Sequence, residues 1–187
     1  MNPEKVKGYL ITQYPEMEEA LGKIKPLSLP SKQKTNVAEA ITQIVIGQML
    51  SRHAAQTIYR RVEAERLNKN LTGTWKLSVD DLTAQGVSGR KARSILDFGK
   101  KYDSNPIHYE NWKNLDHSDL VREVSSVWGL STWSADILAI SYFGKDDIYP
   151  ETDGTLKRAV TIINDRYITS GFDPLKAKPY RLSLIHI

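Results

Sequence analysis

The chain has 187 residues and a formal net charge of +4, enough for one domain or two small lobes around a shared cleft. With 40% hydrophobic and 26% charged residues, no run of the ~20 apolar residues that cross a bilayer and no signal-peptide core in Met1 to Leu10, it is expected to be a soluble intracellular monomer with no membrane partner. The absence of cysteine excludes a disulfide framework, a cysteine-ligated zinc and an iron–sulfur cluster. His53, His108, His117 and His186 lack carboxylates at ligand spacing, so neither a metal nor another cofactor is expected.

Charge is uneven along the chain. Residues 51–105 hold eleven Lys/Arg against six Asp/Glu, whereas residues 106–150 hold three against seven. A basic stretch suits a polyanion, because each neutralised phosphate releases counterions, although basic helix faces are often only solvated.

The periodicity is helical almost throughout and predicts an all-α fold. Asn36 to Glu39 has the form of a capping box, followed by Val37, Ala40, Ile41, Ile44 and Val45 on one face. Gly47 to Leu50 interrupts that face, and Ser51 caps a helix with Ala54, Ala55, Ile58, Tyr59 and Val62 inward. Asn68 to Gly73 is a loop, Asp80-Asp81 starts a short helix, and Gly86-Val87-Ser88 starts a longer one that ends before Pro106. Ser118 caps a short helix, a turn at Gly129-Leu130-Ser131 follows, and a helix runs from Thr132 to Phe143. Asp153-Gly154 opens the last clear helix, with Leu156, Val160, Ile163 and Tyr167 as its apolar stripe.

The two helices within 118–143 form the most informative unit. A short Gly-containing turn exposes amides at the N-terminus of the second helix, where the macrodipole favours an anion. Gly129, Leu130, Ser131 and Thr132 would grip a phosphate there, with Thr132 or Ser134 adding a hydroxyl. Such a grip holds DNA without reading sequence; the plainer reading is an ordinary helical hairpin.

The order of motifs is more specific. Val127-Trp128-Gly129-Leu130-Ser131-Thr132-Trp133-Ser134-Ala135 resembles the helix–hairpin–helix signature of the base-excision DNA glycosylases. Asp147-Ile148-Tyr149-Pro150 and then Asp153, with Arg158 five positions on, are similar to that superfamily's Asp-apolar-aromatic-Pro segment and catalytic Asp. Gly47-Gln48-Met49-Leu50-Ser51 resembles its Gly-Gln-Gln-x-Ser junction, and Gly86-Val87-Ser88 with Lys91-Ala92 its Gly-Leu-Ser…Lys-Ala segment. The four elements keep the family's order over roughly residues 36–160. Among its branches the sequence most resembles the 3-methyladenine DNA glycosylase II family.

The resemblance implies two helical lobes, at 36–143 and at 1–35 plus 144–187, with duplex DNA carrying damaged bases as the partner. It implies that Asp153 stabilises positive charge on the sugar as the N-glycosidic bond breaks and positions the attacking water; the bland role for Asp153 is a helix N-cap. Trp133 occupies the place of the lysine that relatives use for strand cleavage, which implies release of the base and an abasic product. Trp133 and Ile137 would wall the base pocket. Met49 or Leu50 would fill the gap left by a flipped nucleotide, Gln48 would bond the orphaned base, and Ser51 and Lys91, with Arg90 and Arg93, would contact the backbone; Trp133, Met49 and Leu50 read equally as core residues.

The chain departs from the pattern in three places. Ser131 replaces the second hairpin glycine, at a cost of ~1–2 kcal/mol if that position needs φ above zero. Trp128 replaces the hairpin proline, to pack beside DNA or fill the core. After Lys178-Pro179-Tyr180-Arg181, similar to the start of the family's C-terminal helix, residues 182–187 resemble translated adapter sequence, so a native C-terminal helix is expected to be missing. The expected function is hydrolysis of N-glycosidic bonds of alkylated bases in duplex DNA, in the nucleoid of a prokaryote or the nucleus of a eukaryote. The alternatives are another lesion, such as deaminated bases, or a non-catalytic DNA-binding module.

Overall fold

The computed structural model describes residues 3–23, 35–168 and 170–186. These hold eleven α-helices and no strand, the all-α architecture expected from the periodicity. In chain order the helices are α1 (Pro3–Gln13), α2 (Glu18–Lys23), α3 (Val37–Gly47), α4 (Arg52–Asn68), α5 (Val79–Ala84), α6 (Gly89–Ser104), α7 (Pro106–Glu110), α8 (His117–Ser125), α9 (Thr132–Ser141), α10 (Gly154–Arg166) and α11 (Arg181–His186). They divide between two compact units, Gln33–Leu138 and Met1–Lys32 with Ala139–Ile187, so the boundary falls inside α9.

The unit Gln33–Leu138 is built around α3, which packs on α4 and α6. Val37, Ala38, Ala40, Ile41, Ile44, Val45 and Ile46 are all buried, the pattern of a helix enclosed on most sides. Asn36 caps it, accepting from the Glu39 amide at 2.8 Å. The reciprocal half of the predicted capping box is replaced: Glu39 turns inward and accepts from Tyr59 Oη and Thr74 Oγ1, both at 2.7 Å. Those two hydroxyls are partly or wholly buried and need an acceptor more than a helix end does. Burial, reinforced by Glu39, pushes the Tyr59 phenol far above its ordinary range.

Two further caps sit two residues earlier than predicted. Ser78, not Asp80-Asp81, opens α5 through a complete capping box with Asp81. Asp116, not Ser118, opens α8, accepting from Asp119 N at 2.8 Å while Ser118 Oγ donates to it at 2.9 Å. Ser51 caps α4 as predicted, Ser88 caps α6 within the segment predicted to start it, and α9 ends at Ser141 rather than Phe143.

In the other unit, Val6, Leu10, Tyr14, Met17 and Leu21 of the N-terminal segment form one core with Ile168, Ala177 and Leu184. Tyr14 stacks on Phe172 at 5.3 Å and donates to the Asp173 carbonyl at 2.7 Å. Burial, with a contribution from Asp173, pushes its phenol up to about 12. Leu182 and Leu184, in the stretch expected to be foreign, are both buried, and Leu182 N donates to Asp146 O at 3.3 Å. The α10 stripe is less covered than predicted: Leu156, Val160 and Ile163 are half-buried and Tyr167 is exposed.

Candidate nucleic-acid interface and active site

Between α3 and α4 the chain makes a four-residue turn, closed by Leu50 N donating to Gly47 O at 3.2 Å. Gln48 has φ −52 and ψ 130, and Met49 has φ 57. That is a type II turn with methionine where glycine or asparagine is favoured, a strain of ~1–2 kcal/mol. Met49 is nevertheless 101% exposed and Leu50 41% exposed, so neither is the core residue that its hydrophobicity alone would suggest.

Lys91 holds this turn in place. Its Nζ donates to Ile46 O at 2.9 Å and to Gln48 O at 2.6 Å. These carbonyls lie at the C-terminus of α3, where an ammonium group is favoured. Burial lowers the Lys91 pKa. The phosphate contact expected of Lys91 is therefore replaced by an internal one. Gln48 is also engaged: its Nε2 donates to Gly129 O at 2.9 Å and lies 3.5 Å from Ser134 Oγ. Rather than waiting for an orphaned base, this amide ties the turn to the hairpin. The Ser51 hydroxyl accepts from Ala54 N at 3.3 Å as a helix cap.

The hairpin turn closes one residue earlier than predicted, with Leu130 N donating to Val127 O at 3.1 Å. Gly129, at its third position, has φ 85, and a Cβ there would lie 2.3 Å from Ser94 Oγ. Both facts demand glycine. Ser131 needs no such conformation: Met49 and Asn70 are the non-glycine residues with positive φ among those described. The strain expected at Ser131 does not arise, because Gly129 absorbs the reversal.

Ser134 is fully buried, and its Oγ accepts from Ser131 N at 3.3 Å. It braces the turn and cannot reach a phosphate, contrary to expectation. The Leu130 and Ser131 amides are likewise committed internally. What remains of the expected grip is the start of α9. Its first intrahelical bond is Ala135 N to Ser131 O at 3.1 Å, which places Thr132 ahead of the ladder at the positive end of the dipole. Ser131 and Thr132 are exposed there. Trp133 and Ile137, four apart on α9, are half-buried and share a face.

One brace escaped the sequence reading. Asp136, 2% exposed on α9, lies 2.7 Å from His117 Nε2 at the start of α8. An Asp within the apolar run Ala135–Ile140 was the available signal, since a buried carboxylate requires a partner.

Asp153 lies in the other unit, directly before α10. Its Oδ1 accepts from Thr155 N at 2.8 Å and Leu156 N at 2.9 Å. Both bonds lie at the positive end of the α10 dipole, so the cap fixes the position of this carboxylate. The carboxylate is half-buried. In the segment before it, Asp147 receives a fork from Arg181: Nε at 2.8 Å and Nη2 at 3.1 Å, with Nη2 also 2.6 Å from the Asp147 carbonyl. The two motifs that carry these residues are thereby joined.

The chain aligns over 97% of its length with the 3-methyladenine DNA glycosylase of Schizosaccharomyces pombe, determined in complex with abasic DNA. The TM-score is 0.73 at 18% identity, and 93% of that chain is covered. It shares the fold of a DNA glycosylase. The DNA-3-methyladenine glycosidase of Bacillus halodurans gives 0.73 at 19% identity, over 96% of this chain and 85% of that one. The 3-methyladenine DNA glycosylase of Archaeoglobus fulgidus gives 0.71 at 16% identity, over 99% and 67%. No protein-family model matches the sequence, and no curated protein does. Against this glycosylase fold, the turn 47–50, the hairpin and Asp153 are the features with chemistry to offer.

Proposed function

We propose that the chain is a monofunctional DNA glycosylase that hydrolyses the N-glycosidic bond of alkylated bases in duplex DNA and leaves an abasic site. The observation that carries this reading is Met49. An unbranched apolar side chain that is fully exposed, on strained backbone pinned by Lys91, is costly in a free protein. It fits a wedge that enters the base stack when a nucleotide is extruded. The α9 N-terminus supplies a sequence-independent phosphate contact, and Trp133 with Ile137 offers a wall on which a cationic base can stack.

In the reaction the C1′–N bond breaks with its electron pair leaving on the base, and positive charge develops on the sugar. The Asp153 carboxylate stabilises that charge and orients water, which adds to C1′ as its proton passes to the carboxylate and from there to solvent. A cationic alkylated base departs neutral, so no strong general acid is required. Position 133 offers no amine, so no Schiff base forms and the strand stays intact.

Duplexes carrying one defined lesion each, incubated with wild type and with Asp153→Asn, test the proposal. The wild type is expected to release the alkylated base, and Asn to slow release by ~10²–10³-fold, the size of effect seen when a preorganised electrostatic group is removed. Equal release by the two proteins would remove the catalytic assignment. Strand scission by the wild type without alkali would contradict the monofunctional reading.

A further inference from the structure

Beside the hairpin, on the unit Gln33–Leu138, lies a hollow of ≈ 540 Å³ lined by Val79, Arg93, Leu96, Asp97, Lys100 and Trp128. None of these residues touches the reacting bond in the chemistry proposed above, although Arg93 and Trp128 were expected to lie near DNA backbone. Trp128 is 48% exposed, high for a large aromatic. Its position is fixed: Ser94 Oγ on α6 donates to Trp128 O at 3.0 Å, and Gly129 follows directly.

Two cations and one carboxylate line the hollow with the indole, a net positive charge. Arg93 and Lys100 are exposed, and neither has a hydrogen bond or ion pair among the described residues. The one carboxylate of the lining, Asp97, lies 3.2 Å from Lys101, outside the hollow. Seven residues apart on α6, the two free cations share a face and stand ~10.5 Å apart along the axis. Leu96 lies between them in sequence, and Val79 adds a second apolar wall.

We infer that this hollow binds an unpaired nucleotide of single-stranded DNA, its base stacked on Trp128 and its flanking phosphates held by Arg93 and Lys100. An indole face with two unpaired cations is the combination that retains single strands without reading sequence. A base within intact duplex has no free face to offer, so the ligand is an unpaired stretch rather than duplex. The hollow adjoins the hairpin through Trp128, so one protein holds a single-stranded segment next to the duplex backbone. The inference is independent of Asp153 and of base release.

Fluorescence anisotropy of a labelled oligothymidylate with the full chain tests it. Wild type binds; Trp128→Ala weakens binding by about ten-fold, within the range for loss of one base–aromatic stack, and Trp128→Phe restores most of it. The double variant Arg93→Gln/Lys100→Gln lowers the salt dependence by the equivalent of two single-strand phosphates, ~1.4 in the log–log slope. All variants keep the wild-type midpoint of thermal unfolding. The inference is overturned if wild type does not bind, if Trp128→Ala binds as wild type, or if the double variant keeps the full salt slope. Failure of Phe to rescue would also overturn it, as would displacement of the oligonucleotide by an aspartate-rich peptide at equal concentration. Should Trp128→Ala not fold, the double variant's salt slope decides alone.

Discussion

Lys91 on α6 donates to the backbone carbonyl of Gln48 at 2.6 Å, forty-three residues away in the chain. Through this bond and its companion to Ile46 O, one partly buried ammonium fixes the backbone on which Met49 stands. Lys91→Met keeps the length of the stem but orphans two carbonyls. The expected loss is ~1–3 kcal/mol, read from the denaturant midpoint, together with slower base release as the turn loosens. Wild-type stability in this variant would mean that water replaces the ammonium.

Met49→Gly should move stability and activity in opposite directions. Glycine adopts φ 57 freely, so the variant gains ~1 kcal/mol in chemical unfolding. Base release from lesion duplex falls, because no side chain remains to occupy the vacated stack. A variant as active as wild type would sink the wedge assignment.

Capping and chemistry at Asp153 separate by choice of substituent. Asn caps a helix about as well as Asp, whereas Ala costs ~0.5–2 kcal/mol. Asp153→Asn is therefore expected to unfold near the wild-type midpoint, and Asp153→Ala below it. Both lose base release, so activity tracks the carboxylate and stability tracks the cap.

Gly129→Ala places a Cβ 2.3 Å from Ser94 Oγ on backbone with φ 85. The destabilisation is expected to exceed the ~1–2 kcal/mol of the conformation alone, measured by urea unfolding. Adding Ser94→Ala should recover only part of it, since removing the hydroxyl relieves the nearest contact but leaves the Ser94 Cβ at 2.9 Å and the φ strain. Full recovery would show that neither the left-handed backbone nor the remaining Cβ contact costs anything here.

Acid sensitivity should trace to the fork between Arg181 and Asp147. Burial by itself raises the Asp147 pKa, but the Arg181 guanidinium outweighs it and holds the carboxyl below its ordinary value. A depressed folded-state pKa gives stability that is fully present above the unfolded value near ~3.9 and is lost as pH falls through the folded value. Arg181→Gln should flatten the decline in unfolding midpoint below about pH 4 and lower the midpoint at neutral pH. An unchanged acid limb would place the sensitivity elsewhere.

The helices and most of their ends were legible in the sequence because their causes are local. Apolar spacing within a few turns marks α3, α4 and α6, and a short polar residue a few positions from an amide marks the caps at Asn36, Ser51 and Ser88. The turn that contains Gly129 was visible too, although it was displaced by one residue and the positive φ was expected at position 131 rather than 129. Which polar side chain turns inward was not legible. Lys91 and Gln48 read as DNA contacts, yet the structure gives Lys91 two carbonyls of α3 and Gln48 the carbonyl of Gly129. Asp147 with Arg181, and His117 with Asp136, likewise read as unrelated. Such pairings depend on which donors and acceptors are stranded when helices pack, and the partners lie from 19 to 81 residues apart. Local periodicity therefore determined the helical frame, while burial in the tertiary structure decided that Met49 stays outside and that the polar residues around it serve to hold it there.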